Sequence, residues 1–393
     1  MHTAAILLNW VIAYLWMWRA RVALRNLPTL PNLLEETYAA PLPQEGQPLV
    51  SVIVPARDEA EAIEQTLRSL LAQQGISIEI LAVNDRSTDE TGPIMDRVAA
   101  EARAQGRSIS VIHITELPAG WMGKTHAMAL AARQACAPWL LFTDGDILFR
   151  EDCLCRALAY ASKEADHLVL FPTLILKSFG ERMMLSAIQV LSIMTWRPWK
   201  VADRQSRECI GIGAFNLTRS DVYRSIGGFE AQRMEVLEDL RLGYGIKQHG
   251  FRQRIVFGRD LIRVHWAEGA LGIVRNLTKN MFAVFRFKPL ALLGACVGLM
   301  LFGLLPIVGL LGSWMMCTAS LLALGSAVAL YRYLERKITG IPVTYVLVFP
   351  FAACLILYGL LRSMTVTLIR GGVTWRGTFY PLPELRKHAG PLR

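Results

Sequence analysis

Four acidic signatures recur along the chain: Arg57-Asp58-Glu59, Asn84-Asp85-Arg86-Ser87, Asp144-Gly145-Asp146 and Glu238-Asp239. The first three each follow an apolar, strand-like run, where an open α/β sheet keeps its ligand crevice. Asp144 and Asp146 stand two apart, so in extended chain both side chains point to one side. Gly145 between them leaves room for a ligand to approach. Such a pair suits a hard divalent cation, Mg²⁺ or Mn²⁺, that shares its coordination with a diphosphate. Asp239 suits another task. Displacement by a hydroxyl requires a group that takes its proton as the new bond forms. Leu240, Tyr244 and Lys247 place Asp239 in the first turn of a helix, where the helix dipole alone would also favour Glu238 and Asp239.

These residues need a scaffold, and the sequence outlines one. Leu49 to Val54, Ile78 to Val83, Ile109 to Ile114 and Trp139 to Thr143 are β-prone runs. The first is continuous, as expected of a strand covered on both faces. Glu59 to Gln73, Thr88 to Gln105 and Lys124 to Ala135 have helical character, with Asp89 and Glu90 expected in the first turn of the second. Strand-helix alternation at this pace predicts right-handed βαβ units and a parallel sheet. Gly123-Lys124-Thr125 is not a phosphate-binding P-loop, because the glycine required five positions earlier is Pro118. Lys124 can still meet a phosphate.

Composition adds a membrane. The 393 residues are 53% hydrophobic and 19% charged, against about 25% charged in an average soluble protein. The deficit is concentrated at the N-terminus and after Pro289. Thr3 to Trp18 is apolar and is followed by Arg19, Arg21 and Arg25. A cleaved signal peptide carries its charge before the apolar core, so an uncleaved anchor or an interfacial helix is expected over 1–27. Five prolines mark 28–48 as a linker. Leu290 to Tyr331 has no charge and exceeds one span of about 20 residues. It can make two spans, turning near Gly312-Ser313, and Ile341 to Leu361 adds a third. If these three and the N-terminal segment all cross, the N-terminus and the basic tail lie outside, against the positive-inside rule. One late segment is therefore expected to be re-entrant or interfacial, with Pro306, Pro342 and Pro350 as break points. Phe179 to Trp199, ending in Trp196-Arg197-Pro198-Trp199-Lys200, suits either a membrane interface or packing on the sheet. The net charge of +10 suits lipid headgroups. The absence of a basic run or binding motif argues against a nucleic-acid partner. Seven scattered cysteines without zinc-site spacing read as reduced thiols, in keeping with a cytoplasmic domain.

The ordered motifs resemble those of family 2 glycosyltransferases. Val50-Ser-Val-Ile-Val-Pro-Ala-Arg-Asp-Glu59 resembles the family's opening strand, with Asp58 where Asn is usual. Val83 to Asp89 is similar to its second motif, Asp144-Gly145-Asp146 to its metal motif, and Gly227-Gly228-Phe229-Glu230 and Leu237-Glu238-Asp239 to its acceptor and base motifs. Trp121-x-Gly123-Lys124 and Trp375-Arg376-Gly377-Thr378-Phe379-Tyr380 narrow the resemblance to enzymes that glycosylate lipids, the ceramide glucosyltransferases and bacterial carotenoid glycosyltransferases. It implies a GT-A fold, Rossmann-like with a mostly parallel sheet, over 49–288. Membrane helices would flank it at 1–27 and 289–369, with a basic cytoplasmic tail over 370–393. It implies a nucleotide-sugar donor, expected to be UDP-linked, and an inverting transfer of a hexose to a lipid at the inner face of a bacterial membrane. Pro55, Asp58, Glu59, Asp85, Lys124, Asp144 and Arg376 would bind the donor. Asp144 and Asp146 would hold Mg²⁺ or Mn²⁺, with Asp146 the chief ligand. Asp239, with Glu238, would be catalytic. The Gln/Arg-x-x-Arg-Trp motif of many processive relatives is missing: Val274 to Asn280 stands in its place. Arg275, Lys279 or Trp375-Arg376 would supply its charge. The gap argues against a processive polysaccharide synthase, and the intact acidic motifs argue against a non-catalytic membrane scaffold.

Overall fold

The four β-prone runs form strands in the computed structural model, which describes residues 2–39 and 47–392. They are β1 (Val50–Ala56), β2 (Ile78–Asp85), β3 (Ile109–Ile114) and β4 (Trp139–Phe142). Later come β5 (Leu148–Phe149), β6 (His167–Leu170), β7 (Thr173–Leu174), β8 (Asn216–Arg219), β9 (Gln253–Val256) and β10 (Ile262–Val264). Seven strands make one sheet in the order β3-β2-β1-β4-β8-β6-β9, and β5-β10-β7 make a second. β1 runs parallel to β2 and β4, and β2 to β3. Within the seven-stranded sheet β8 runs against its neighbours β4 and β6. The architecture is thus α/β with a mostly parallel sheet.

Every residue of β1 is buried, and its two faces feed two cores. Val52 and Val54 pack with Ile63, Leu67 and Leu70 of the Ile63–Leu71 helix and with Met95 and Val98 of the Thr91–Ala104 helix. Ile53, pointing the other way as a strand's alternation requires, packs with Ala127, Met128 and Ala131 of the Gly123–Gln134 helix. Burial on both faces is why β1 reads as an unbroken apolar run, and it fixes the level of the loop that follows. One expectation is corrected here. Asp89 and Glu90 precede the helix, which starts at Thr91. The Asp89 carboxylate accepts N–H bonds from Thr91 (3.0 Å) and Ala60 (3.1 Å), tying the loops after β1 and β2 together.

This sheet unit comprises Leu30–Ile175, Lys200–His265 and Lys387–Arg393, and a helical unit comprises Met1–Thr29, Leu176–Trp199 and Trp266–Arg386. The linker expected over 28–48 lies partly outside the described residues, at 40–46. Its start is strapped: Leu33 N–H donates to the Phe257 carbonyl, and Phe257 N–H donates to that of Pro31.

In the helical unit the uncharged stretch divides as its spacing predicts. Helix Pro289–Gly303 and a short turn of helix at Leu305–Val308 precede helix Trp314–Leu334, with the break at Gly312-Ser313. Three segments are long and apolar enough to cross a membrane: Pro289–Leu311, Trp314–Thr339 and Val343–Arg370. The His2–Asn26 helix is not one of them. It carries polar contacts instead. The Trp16 indole donates to the Phe302 carbonyl at 2.9 Å, and Asn9 meets Ser320. Arg19 donates to the carbonyls of Ile193, Met194 and Trp196, at the end of the Phe179–Thr195 helix. A cation there satisfies carbonyls that the helix cannot pair by itself.

Candidate active site

The site is built at the strand ends of the sheet unit. After β1 the chain turns through Asp58, whose φ of 53° is left-handed, a conformation Asp tolerates better than most residues. One Asp58 oxygen accepts from the Thr88 N–H at 2.7 Å and from its hydroxyl at 3.2 Å. The Asp58 N–H donates to the Ser87 hydroxyl, and the Glu59 N–H to that of Thr91. Asp85, buried at the end of β2, is held by the next residue: Arg86 Nε and Nη2 donate to its two oxygens at 2.7 and 3.1 Å. This pair rests against Gly123, where any Cβ would strike the Asp85 carboxylate. Pro55 lies in β1 one residue from its end. It is beyond the last pairing with β4, which stops at Ile53, so its missing N–H leaves that ladder intact.

Lys124 starts the next helix and reaches across to two carboxylates. Its Nζ lies 2.6 Å from Asp144 Oδ1 and 2.6 Å from Glu238 Oε1. Burial works against its charge, but Asp144, Glu238 and Asp239 together hold its pKa above the ordinary lysine value. Asp239, in the first turn of the Glu238–Gln248 helix as its neighbours predict, accepts the Gly213 N–H on Oδ2 at 2.9 Å and the Leu240 N–H on Oδ1 at 2.7 Å. Burial, then the adjacent Glu238 charge, push its carboxyl up to about 7, against the pull of Lys124. Asp146 is likewise pushed up to about 7, by burial and by the Asp144 and Glu59 charges. A small recess is lined by Lys124, Glu238, Asp239, Gly213, Phe142 and Phe229, among others.

The fold thus brings Lys124, Asp144, Glu238 and Asp239 into one cluster, with Asp146 two residues along. Asp58 and Glu59 sit in the loop after β1, and Asp85 at the end of β2. Arg376 belongs to the helical unit, between the two strands of the Gly372–Trp375 and Thr378–Pro381 hairpin, with a φ of 44°. Sequence reading missed Arg86 as the partner of Asp85. It also missed Gly211 and Gly213. A Cβ on Gly213 would overlap the Asp144 carboxylate, and one on Gly211 the Asp239 carbonyl. Gly211-Ile-Gly213, three residues before β8, was the available signal, because glycine near a strand marks close backbone approach.

No group of three or more His, Cys, Asp or Glu that could hold a metal occurs among the described residues. Asp144 and Asp146 alone supply two hard oxygen donors. The raised Asp146 carboxyl marks a place short of positive charge. Both facts fit a divalent cation that takes its remaining ligands from a diphosphate and water.

Residues 51–240 match the family model described as Glycosyl transferase family 2. A 4,4'-diaponeurosporenoate glycosyltransferase of Staphylococcus aureus (strain MRSA252) is 24% identical over 348 residues, covering 85% of this chain and 89% of that protein. A mannosyltransferase from Pyrobaculum calidifontis, solved in complex with GDP-Man and Mn²⁺, aligns over 93% of this chain and 98% of its own at 18% identity, with a TM-score of 0.46. Residues 1–349 of Staphylococcus aureus TarS align over 84% of this chain and 96% of their own at 14% identity, with a TM-score of 0.40.

Proposed function

We propose, for a chain that is a family 2 glycosyltransferase acting on a nucleotide-sugar, that it moves a hexose from a UDP-sugar to the hydroxyl or carboxyl of a membrane lipid, with inversion at the anomeric carbon. The observation that carries this reading is the single ammonium of Lys124 set among Asp144, Glu238 and Asp239. One end of that cluster faces diphosphate chemistry, the other a proton to be removed.

Asp239 takes the acceptor proton as the new glycosidic bond forms. A carboxyl lifted to about 7 is a stronger base than an ordinary aspartate, and a base poised near the working pH is the efficient kind. The Gly213 N–H fixes its orientation. Glu238, engaged by Lys124, adds the negative charge that helps to raise Asp239. Asp144 and Asp146 would hold Mg²⁺ or Mn²⁺, which when bound neutralises the diphosphate and eases its departure. Lys124 adds a second cation for the leaving phosphates. Asp58, Glu59 and Asp85 take the nucleoside side, with Arg86 holding Asp85 in place. Arg376 is assigned to the phosphates in place of the missing Arg-Trp motif. The lipid acceptor rests on the three apolar segments and on what the Staphylococcus aureus relative's name says it glycosylates. The membrane reading puts the sheet unit at the cytoplasmic face, with the His2–Asn26 helix as an N-terminal anchor.

The test is mass spectrometry of lipid extracts from cells with and without the expressed protein. A new lipid heavier by one hexose is expected with it. A polysaccharide product would replace the lipid reading with a processive one, and no transfer from any UDP-sugar would sink both.

A further inference from the structure

Both ends of the helical segment after His265 can be placed on one side. The chain leaves the sheet unit at His265, and the residues from Lys387 belong to that unit again. The Arg241 guanidinium donates to the Pro391 carbonyl at 2.7 Å, and the Cys209 thiol to that of Leu392 at 3.2 Å. A segment that starts and ends on one side of a bilayer crosses it an even number of times. Yet three segments between these points are long and apolar enough to cross. Two of them cross, or none does.

The charges say which. Pro289 to Tyr331 carries none, and neither does its turn at Gly312-Ser313. Arg332, Arg336 and Lys337 close the second segment, Arg370 closes the third, and Arg376, Arg386 and Lys387 lie beyond it. The last helix, Phe349–Arg370, is therefore basic on both flanks, and basic flanks stay in the cytoplasm. It also packs on a polar partner. Its Arg362 donates to the Thr278 hydroxyl at 3.0 Å, and the Phe282 N–H donates to its Ser363 hydroxyl at 2.9 Å. Those contacts lie on the Gly269–Val284 helix, which carries Arg275 and Lys279. An arginine at the centre of a spanning helix is costly to insert. The Phe351, Tyr358 and Ile369 side chains remain exposed as an apolar face for lipid, while Ala353, Ile356 and Leu360 on the other side are buried against protein.

We propose that Pro289–Leu311 and Trp314–Thr339 cross and return as a hairpin, and that Phe349–Arg370 does not cross but is embedded from the side that holds the sheet unit. This rests on the membrane reading above. The test uses full-length protein in a bacterial inner membrane with one epitope tag per variant: at Gly106 in the sheet unit, at Gly312, at Gly340, or after the last residue. Antibody binding is read in intact and in permeabilised spheroplasts. The Gly312 tag is expected to bind in intact cells, and the other three only after permeabilisation. Tags at Gly340 and at the C-terminus on opposite faces would overturn the proposal. The C-terminal tag disturbs no turn, so its face against that of the Gly106 tag decides the parity even if the inner tags impair folding. Release of the untagged protein by an alkaline carbonate wash would instead overturn the membrane reading itself.

Discussion

The two carboxylate groups of the site are treated differently by the fold. Asp58 and Asp85 are paired with protein partners: Asp58 holds Thr88, and Arg86 grips Asp85 with two nitrogens. Asp144, Asp146, Glu238 and Asp239 share one lysine, and two of them are pushed up to about 7. A carboxylate satisfied by its own chain mainly shapes a loop. A cluster short of positive charge has free energy to gain from an arriving cation or proton. The strand-end loops after β1 and β2 are therefore scaffold first, and the Lys124 cluster is the part to which we assign the proposed chemistry.

The strongest way to break this contrast is Asp239→Asn, which keeps the shape and removes the base. Transfer should fall about 10²- to 10⁴-fold while UDP binding by calorimetry stays intact; a fully active variant would remove Asp239 from the role. Asp146→Ala should abolish the metal-dependent part of UDP binding, and unchanged titrations with and without Mg²⁺ would take it out of the metal site. A pH profile sharpens the contrast further. Asp239 works ionised, and its carboxyl sits near 7, so kcat/KM should fall about tenfold per pH unit below that value and level off above it. A flat profile between pH 5 and 8 would contradict the assignment. Lys124→Met leaves Asp144 and Glu238 facing each other without their cation and should cost about 1–3 kcal/mol in unfolding experiments. Asp58→Ala removes one acceptor at an exposed loop and should cost about 1 kcal/mol. If Asp58→Ala proved the more destabilising of the two, the division between scaffold and chemistry would be misplaced.

The pH dependence of stability separates two further carboxylates. Glu181, buried in the helical unit, accepts N–H bonds from Lys177 and Gly269. Burial opposes its charge, but these bonds and Ser178 bring it down to about 2. A depressed carboxyl contributes stability above its unfolded value, lost as pH falls toward 2. Asp146 and Asp239 have the opposite sign. Raised carboxyls favour the folded state at acid pH, and that contribution is lost as pH rises through about 7.

Much of the sheet was legible because burial on both faces leaves an unmistakable record. β1 to β4 appear in sequence as runs such as Val50 to Val54, and Asp58, Asp85 and Asp144 lie at the ends of β1, β2 and β4. The antiparallel insertion of β8 was not legible. Four residues, Asn216 to Arg219, carry no signal for strand direction, which is set by pairing with β4 and β6. The Phe179–Thr195 helix was ambiguous for a related reason: an amphipathic pattern records that one face is covered, not by what. Within the site, residue types and order pointed to Asp144, Asp239 and Lys124. The pairing of Asp85 with Arg86 depends on side-chain direction, which spacing along the chain does not encode.

The Gly211–Asp239 and Gly243–Ile210 approaches have a consequence for how the site tolerates change. A Cβ on Gly211 would overlap the Asp239 carbonyl, and one on Gly243, inside the same helix, the carbonyl of Ile210. Glycine within a helix costs about 1 kcal/mol against alanine; here it lets two backbones touch directly. Asp239 is therefore located by main chain against main chain, with no rotamer in between to absorb or add error. At these two glycines even one added methyl would force the backbones apart and shift Asp239 with them.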